Sequence, residues 1–106
     1  SGGSSFSSDQ TTLNKTTGVA SALRVGRTRV TSIQGKGEAG SVLSLHDAAT
    51  AGAASGANLK AIYRYETEGL EVYVPGSGIL FKLGLIATLT QTTGTDGSVT
   101  VTITGA

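Results

Sequence analysis

At 106 residues, with eight Lys and Arg against seven Asp and Glu, the chain is long enough for one domain and too nearly neutral for the electrostatic footprint of a nucleic-acid binder. Hydrophobic residues make up 38% and aromatics only 5%, so a core must be assembled from Val, Leu, Ile and Ala; the sixteen glycines work against long helices, since each costs about 1 kcal/mol in a helix interior. Absence of cysteine excludes disulfides and thiolate metal sites, no apolar run reaches the ~20 residues of a membrane-spanning helix, and the polar first residues lack the apolar stretch of a signal peptide.

Residues 1–18 read as an extended polar arm. They are almost entirely Ser, Gly, Thr, Asn and Gln, with Phe6 and Leu13 as the apolar exceptions. Such a segment buries too little apolar surface to offset its ordering entropy. Fully extended it would reach roughly 60 Å, either as a loose terminus or as an arm that orders on a neighbouring subunit with Phe6 and Leu13 as pegs.

From Val19 onward the pattern has the two-residue period of strands. Ala22 to Val25 leads into Gly26, and Arg27 to Ile33 is rich in β-branched residues. Gly35 to Gly40 reads as a turn, followed by a strand from Ser41 to His46. Asp47 to Asn58 reads as a long small-residue connection, in which Asp47 would cap a short helix if one forms. Leu59 to Glu66 places Leu59, Ala61, Tyr63 and Tyr65 on one face. Leu70 to Val74 alternates cleanly, Pro75 to Gly78 is a turn cluster, and Ile79 to Phe81 and Leu85 to Thr90 are further strands. Asp96-Gly97 is a hairpin signal. Ser98 to Thr104 closes the series, with Val99, Val101 and Ile103 on one side and Thr100, Thr102 and Thr104 on the other. That threonine ladder suits an edge strand able to join a neighbour's sheet.

Strands every 8–12 residues or so, separated by Gly-rich turns and without helical crossovers, predict an all-β fold. The expectation is a small antiparallel β-sandwich or jelly-roll-like barrel over 19–106, with the N-terminal arm over 1–18.

Candidate chemistry fails on context. Gly35, Gly37 and Gly40 spell G-x-G-x-x-G, but a dinucleotide site needs a helix next, and here a strand follows; the glycines read instead as a connection needing positive φ. Ser44, His46 and Asp47 do not suit a hydrolytic triad: Ser44 and His46 share a strand face with Cβ atoms about 7 Å apart, where a triad needs direct hydrogen bonds. Glu66, Glu68 and Glu71 with Asp96 lack the spacing of a calcium loop. Asn14-Lys15-Thr16 spells a glycosylation acceptor, relevant only in a secretory setting. No catalytic residue, metal site or cofactor is therefore predicted. Tyr63 and Tyr65, two apart, would suit either core filling or a stacking platform, and Tyr73 is the third tyrosine. Arg24, Arg27 and Arg29 cluster early and Glu66, Glu68 and Glu71 later, which on one surface would steer association of copies or partners.

The order of Val25-Gly26-Arg27-Thr28-Arg29-Val30, then Gly40 to Asp47 followed by small residues, then Val74 to Phe81 and Leu85 to Thr90, resembles short virion proteins of tailed bacteriophages, marine and cyanobacterial phages among them. The resemblance spans about Val19 to Thr104 and carries no catalytic residues. It implies a structural role in the virion: a capsid decoration (cement) protein on the major capsid shell, acting as a homo-oligomer with a trimer among the candidates. A tail, adaptor or fibre-associated protein is the alternative, and a carbohydrate-binding module using the tyrosines is the third. No nucleic-acid or membrane partner is expected. The predicted contact residues are Phe6, Leu13, Arg24, Arg27, Arg29, Tyr63, Tyr65, Thr100, Thr102 and Thr104.

Overall fold

The computed structural model describes residues 8–15, 19–91 and 97–105, the first of these stretches by its backbone. Among the described residues nine strands form two antiparallel sheets. They are β1 (Ser8–Lys15), β2 (Ser21–Val25), β3 (Thr28–Lys36), β4 (Val42–Asp47), β5 (Leu59–Arg64), β6 (Gly69–Tyr73), β7 (Ile79–Phe81), β8 (Gly84–Thr90) and β9 (Gly97–Gly105). One sheet runs β1-β9-β3-β6, with β7 also on β3; the other runs β2-β8-β4-β5. The expected all-β sandwich is the fold observed.

The pairing is that of one long hairpin folded over itself. β4 pairs with β5 around the 48–58 connection, β3 with β6 and β7, β2 with β8, and β1 with β9. Counting β6 and β7 as one interrupted strand leaves eight strands and the strand order of a jelly roll. The interruption has a local cause. β6 lies along Ser32 to Lys36 and β7 along Thr28 to Val30, while Thr31 is skipped in the register with β9. The Val74 N–H bonds the Thr31 carbonyl at 2.9 Å, Pro75 offers no N–H, and Gly76 and Gly78 take φ of +72° and +83°. The chain thus steps off the edge of β3 and returns one bulge later.

Alternation delivers the core. Val30 and Ile33 of β3, Leu43 and Leu45 of β4, Phe81 of β7, Leu85, Ala87 and Leu89 of β8, and Val99, Val101 and Ile103 of β9 are buried between the sheets, together with Tyr65. Each such large side chain contributes about 1.5–3 kcal/mol when removed from water. Tyr65 lies just beyond β5, tied into the sandwich by Tyr65 N–H to Ser41 carbonyl and Gly40 N–H to Tyr65 carbonyl, both 2.8 Å.

Several expectations are corrected. Ser8–Lys15, placed in the arm, is a strand whose eight residues pair in register with Thr104 to Gly97. The segment's polarity governs side-chain burial, but a sheet strand is also held by its backbone ladder, and the β-prone β9 presents a matching one. The remainder of the arm, with Phe6, lies outside the described residues. β9 is no edge strand, because β1 and β3 flank it on both sides; its backbone is committed within the chain. Asp96-Gly97 marks no hairpin, since β8 and β9 belong to different sheets. Of the Gly35, Gly37 and Gly40 set, only Gly40 has positive φ, at +88°. Gly35 and Gly37 serve close approach. A Cβ on Gly35 would meet the Tyr65 hydroxyl and lie 2.8 Å from its Cζ, and one on Gly37 would lie 2.9 Å from Gln91 Oε1.

Candidate interaction surface

The turns between β2 and β3, between β7 and β8, and the start of the 48–58 connection gather at one end of the sandwich. Val25 pairs with Gly84, Asp47 with Leu85, the Gly26 N–H bonds the Leu83 carbonyl at 2.9 Å, and the Ala48 N–H bonds the Gly84 carbonyl at 3.2 Å. Two large apolar side chains stand exposed there, Val25 at 73% and Leu83 at 57%. Scattered exposed apolar residues are ordinary on a protein surface, but these two lie on adjacent turns joined by a hydrogen bond. Arg24, Arg27 and Lys82, all exposed, adjoin them in the sequence, and Arg29 and Lys60 follow at the same ends of β3 and β5.

Asp47 fixes the 82–84 turn. Its carboxylate accepts the N–H of Lys82 at 3.0 Å, of Leu83 at 2.8 Å and of Gly84 at 3.4 Å. Burial works to raise its pKa, but the backbone donors of Leu83, Lys82 and Gly84, with the charge of Lys60, outweigh it and hold the carboxyl below its ordinary 3.8. Asp47 is the last residue of β4 rather than a helix cap. The cap in this region is Ser55, whose hydroxyl accepts the Ala57 N–H at 3.3 Å ahead of the 3-10 turn Gly56–Asn58.

His46 is a structural anchor. Its Nδ1 lies 2.9 Å from the Ser55 carbonyl and 3.1 Å from Asn58 Oδ1. A carbonyl only accepts, so Nδ1 carries the proton. Asn58 in turn receives the Ser55 N–H at 3.0 Å and donates to the Ala53 carbonyl at 2.9 Å. The connection is thereby pinned to the outer face of β4. Ile86, the register partner of His46, is fully buried although its neighbours Leu85 and Ala87 face the inter-sheet core. His46 and Asp47 thus do separate work, and among the described residues no hydrogen bond joins Ser44, His46 and Asp47 to one another, so the catalytic arrangement weighed in the sequence is not assembled.

The remaining predicted contact residues divide. Tyr65 is fully buried, its pKa pushed by burial up to about 12, and is not available to a partner; among the described residues its hydroxyl meets no hydrogen-bond partner. Tyr63 is half-buried and packs against the core. A Tyr63–Tyr65 platform is therefore not presented, and the exposed tyrosine is Tyr73, at 78%, on β6. Leu59, expected on one face with Ala61, Tyr63 and Tyr65, is partly exposed where the register shifts between Leu45 and His46. Arg29 and the Thr100, Thr102 and Thr104 ladder lie half-buried on the outer face of the β9-containing sheet. The Thr31 hydroxyl donates to the Thr102 carbonyl at 3.1 Å and the Thr28 hydroxyl to the Thr104 carbonyl at 3.2 Å. Leu13 pairs with Val99 by register.

Sequence reasoning missed Val25, Leu83 and Lys82. A signal existed: Val25 precedes Gly26 and Leu83 precedes Gly84, so each is an apolar residue at a glycine turn, where strand alternation no longer assigns it inward.

The acidic cluster occupies the far end. The Gly37 N–H bonds the Glu68 carbonyl at 3.0 Å, Lys36 pairs with Gly69, and Glu66, Glu68 and Glu71 are exposed. The arginine and glutamate groups thus lie not on one surface but at opposite ends of the strands. Among the described residues no group of three His, Asp or Glu side chains is placed to hold a metal ion, and no helix is long and apolar enough to cross a membrane. No protein-family model matches the chain, and no curated protein matches it.

Proposed function

We propose that this chain is a structural packing module that docks on protein through the Val25–Leu83 end of its sandwich, and that its setting is the virion of a tailed phage, as a capsid decoration protein. The observation that carries the docking reading is the exposed apolar pair, held by the Asp47-anchored turn and set among Arg24, Arg27 and Lys82. An apolar centre with a cationic rim is the composition of a protein contact, with Arg favoured over Lys in it. The polar groups with the best catalytic potential support the same reading, because His46 and Asp47 spend their hydrogen bonds on loop architecture. The virion setting rests on the sequence resemblance over Val19 to Thr104. Binding only to the assembled shell would stabilise that shell by mass action.

The test is co-sedimentation of the purified chain with phage shells stripped of their accessory proteins. The wild-type chain is expected to pellet with shells and the double variant Val25→Asp/Leu83→Asp to stay in the supernatant while keeping its wild-type circular dichroism. Equal binding by both removes this end from the docking role, and no binding by the wild type removes the capsid reading.

A further inference from the structure

The two ends of the sandwich carry opposite charge on turns that project beyond the strands. At one end stand Arg24, Arg27, Arg29, Lys60 and Lys82 against Asp47, which is committed to three backbone N–H groups. At the other stand Glu38, Glu66, Glu68 and Glu71 against Lys36 and Arg64. Among the described residues, the charged side chains on the turns are Arg27 and Lys82 at the first end and Glu66 and Glu68 at the second, and all four are exposed. A strand length separates the two groups: nine residues of β3 span roughly 30 Å, several Debye lengths at physiological salt. The ends therefore do not neutralise each other within one molecule.

From this arrangement we infer that the Val25–Leu83 end accepts the Glu66–Glu68 end of a second copy, a head-to-tail contact between identical chains. The inference rests on the reading of the first end as a docking surface and adds a second copy as an occupant that competes there with the shell. Charge complementarity sets the direction. A tip of Arg27 and Lys82 meeting another tip of the same kind is repulsive, so two copies do not pair symmetrically through this end, whereas a tip of Glu66 and Glu68 matches it. Such a contact is heterologous, with different patches on the two partners, and repeats into rings or open chains instead of closing at two. The size of the contact sets its strength. Strand and sheet spacings give each end a face of roughly 400 Å², so one contact buries roughly 800 Å² in all, below the ~1,200–2,000 Å² of standard stable interfaces. The association is therefore weak between isolated molecules in solution, is steered by charge, and weakens with salt.

Sedimentation velocity across a concentration series, at low and at high ionic strength, tests it with charge-reversed variants of the whole chain. The wild type is expected to sediment faster with rising concentration at low salt and to return to the monomer value at high salt. Arg27→Glu/Lys82→Glu, with both tips acidic, and Glu66→Lys/Glu68→Lys, with both tips basic, are each expected to stay monomeric. Their equimolar mixture is expected to recover association, because it again contains one wild-type basic end and one wild-type acidic end. A wild type that stays monomeric at low salt, association that grows with salt, or a mixture no different from its components overturns the inference. Shell co-sedimentation separates this failure from that of the underlying reading: a wild type that pellets with shells yet never self-associates removes the second copy as occupant and keeps the docking end.

Discussion

Gly35→Ala probes how Tyr65 is seated in the core. Gly35 lies in β3 with negative φ, so the substitution brings no backbone strain. The new Cβ meets the Tyr65 hydroxyl, stands 2.8 Å from its Cζ and lies 3.3 Å from the Ser98 carbonyl. Tyr65 is fully buried and held at its backbone by Ser41 and Gly40, so the ring cannot swing into solvent. Overpacking of this kind costs about 1–3 kcal/mol, and the severity of the clash puts Gly35→Ala near the top of that range. In a domain this size that lowers the midpoint of thermal unfolding by roughly 10 °C or more. Tyr65→Phe alone removes a buried hydroxyl that has no partner among the described residues and is expected to be neutral or to stabilise by about 1 kcal/mol. In the Tyr65→Phe background the worst contact is gone, so Gly35→Ala should cost about 1 kcal/mol less than in the wild type. Urea unfolding of the four proteins in the cycle measures this coupling. Additive costs within about 0.5 kcal/mol would refute the seating of Tyr65 against Gly35.

Asp47→Ala leaves three turn N–H groups without their acceptor and is expected to cost about 1–3 kcal/mol, with Asp47→Asn intermediate, by the same unfolding assay. The native Asp47 pKa lies below its ordinary 3.8, so its contribution is fully present above that value and is lost as the pH falls through the native one; the stability gap between wild type and Asp47→Asn should therefore shrink on acidification below pH 3.8, and a gap that widens there contradicts the assignment. Gly78→Ala places a Cβ against the Val30 carbonyl at a φ of +83° and should cost more than about 2 kcal/mol, whereas Gly52→Ala, which meets nothing, should leave the unfolding midpoint within about 0.5 kcal/mol of wild type. His46→Ala releases the 48–58 connection from Ser55 and Asn58, and limited proteolysis should cut within 48–58 far sooner than in the wild type, with little change in global stability; unchanged cleavage would show that the connection is held by other means.

The strands of the second half were legible residue by residue, because Val99, Val101 and Ile103, and likewise Leu70, Val72 and Val74, keep the two-residue period that a half-buried sheet imposes. What periodicity does not carry is partnership. It identified β9 as a strand but could not say that β1 and β3 both flank it, since a threonine face suits an outer surface wherever the strand lies in the sheet. It missed β1 because the segment has little to bury and is held by backbone pairing, which leaves no apolar trace. The glycines of the 35–40 stretch were visible, but two of them answer to Tyr65 and Gln91, residues far away in sequence. The candidate surface was half legible: Arg24 and Arg27 belong to it, while Val25 and Leu83 were hidden inside runs that otherwise face inward.

The stoichiometry of this chain relative to the major capsid protein in purified phage particles tests the central claim most directly. A decoration protein is expected in the particles at a fixed ratio to the capsid subunit, retained when tails are removed and lost together with the shells. Particles that lack it, or that carry it in their tails and not on their shells, would rule out the decoration role.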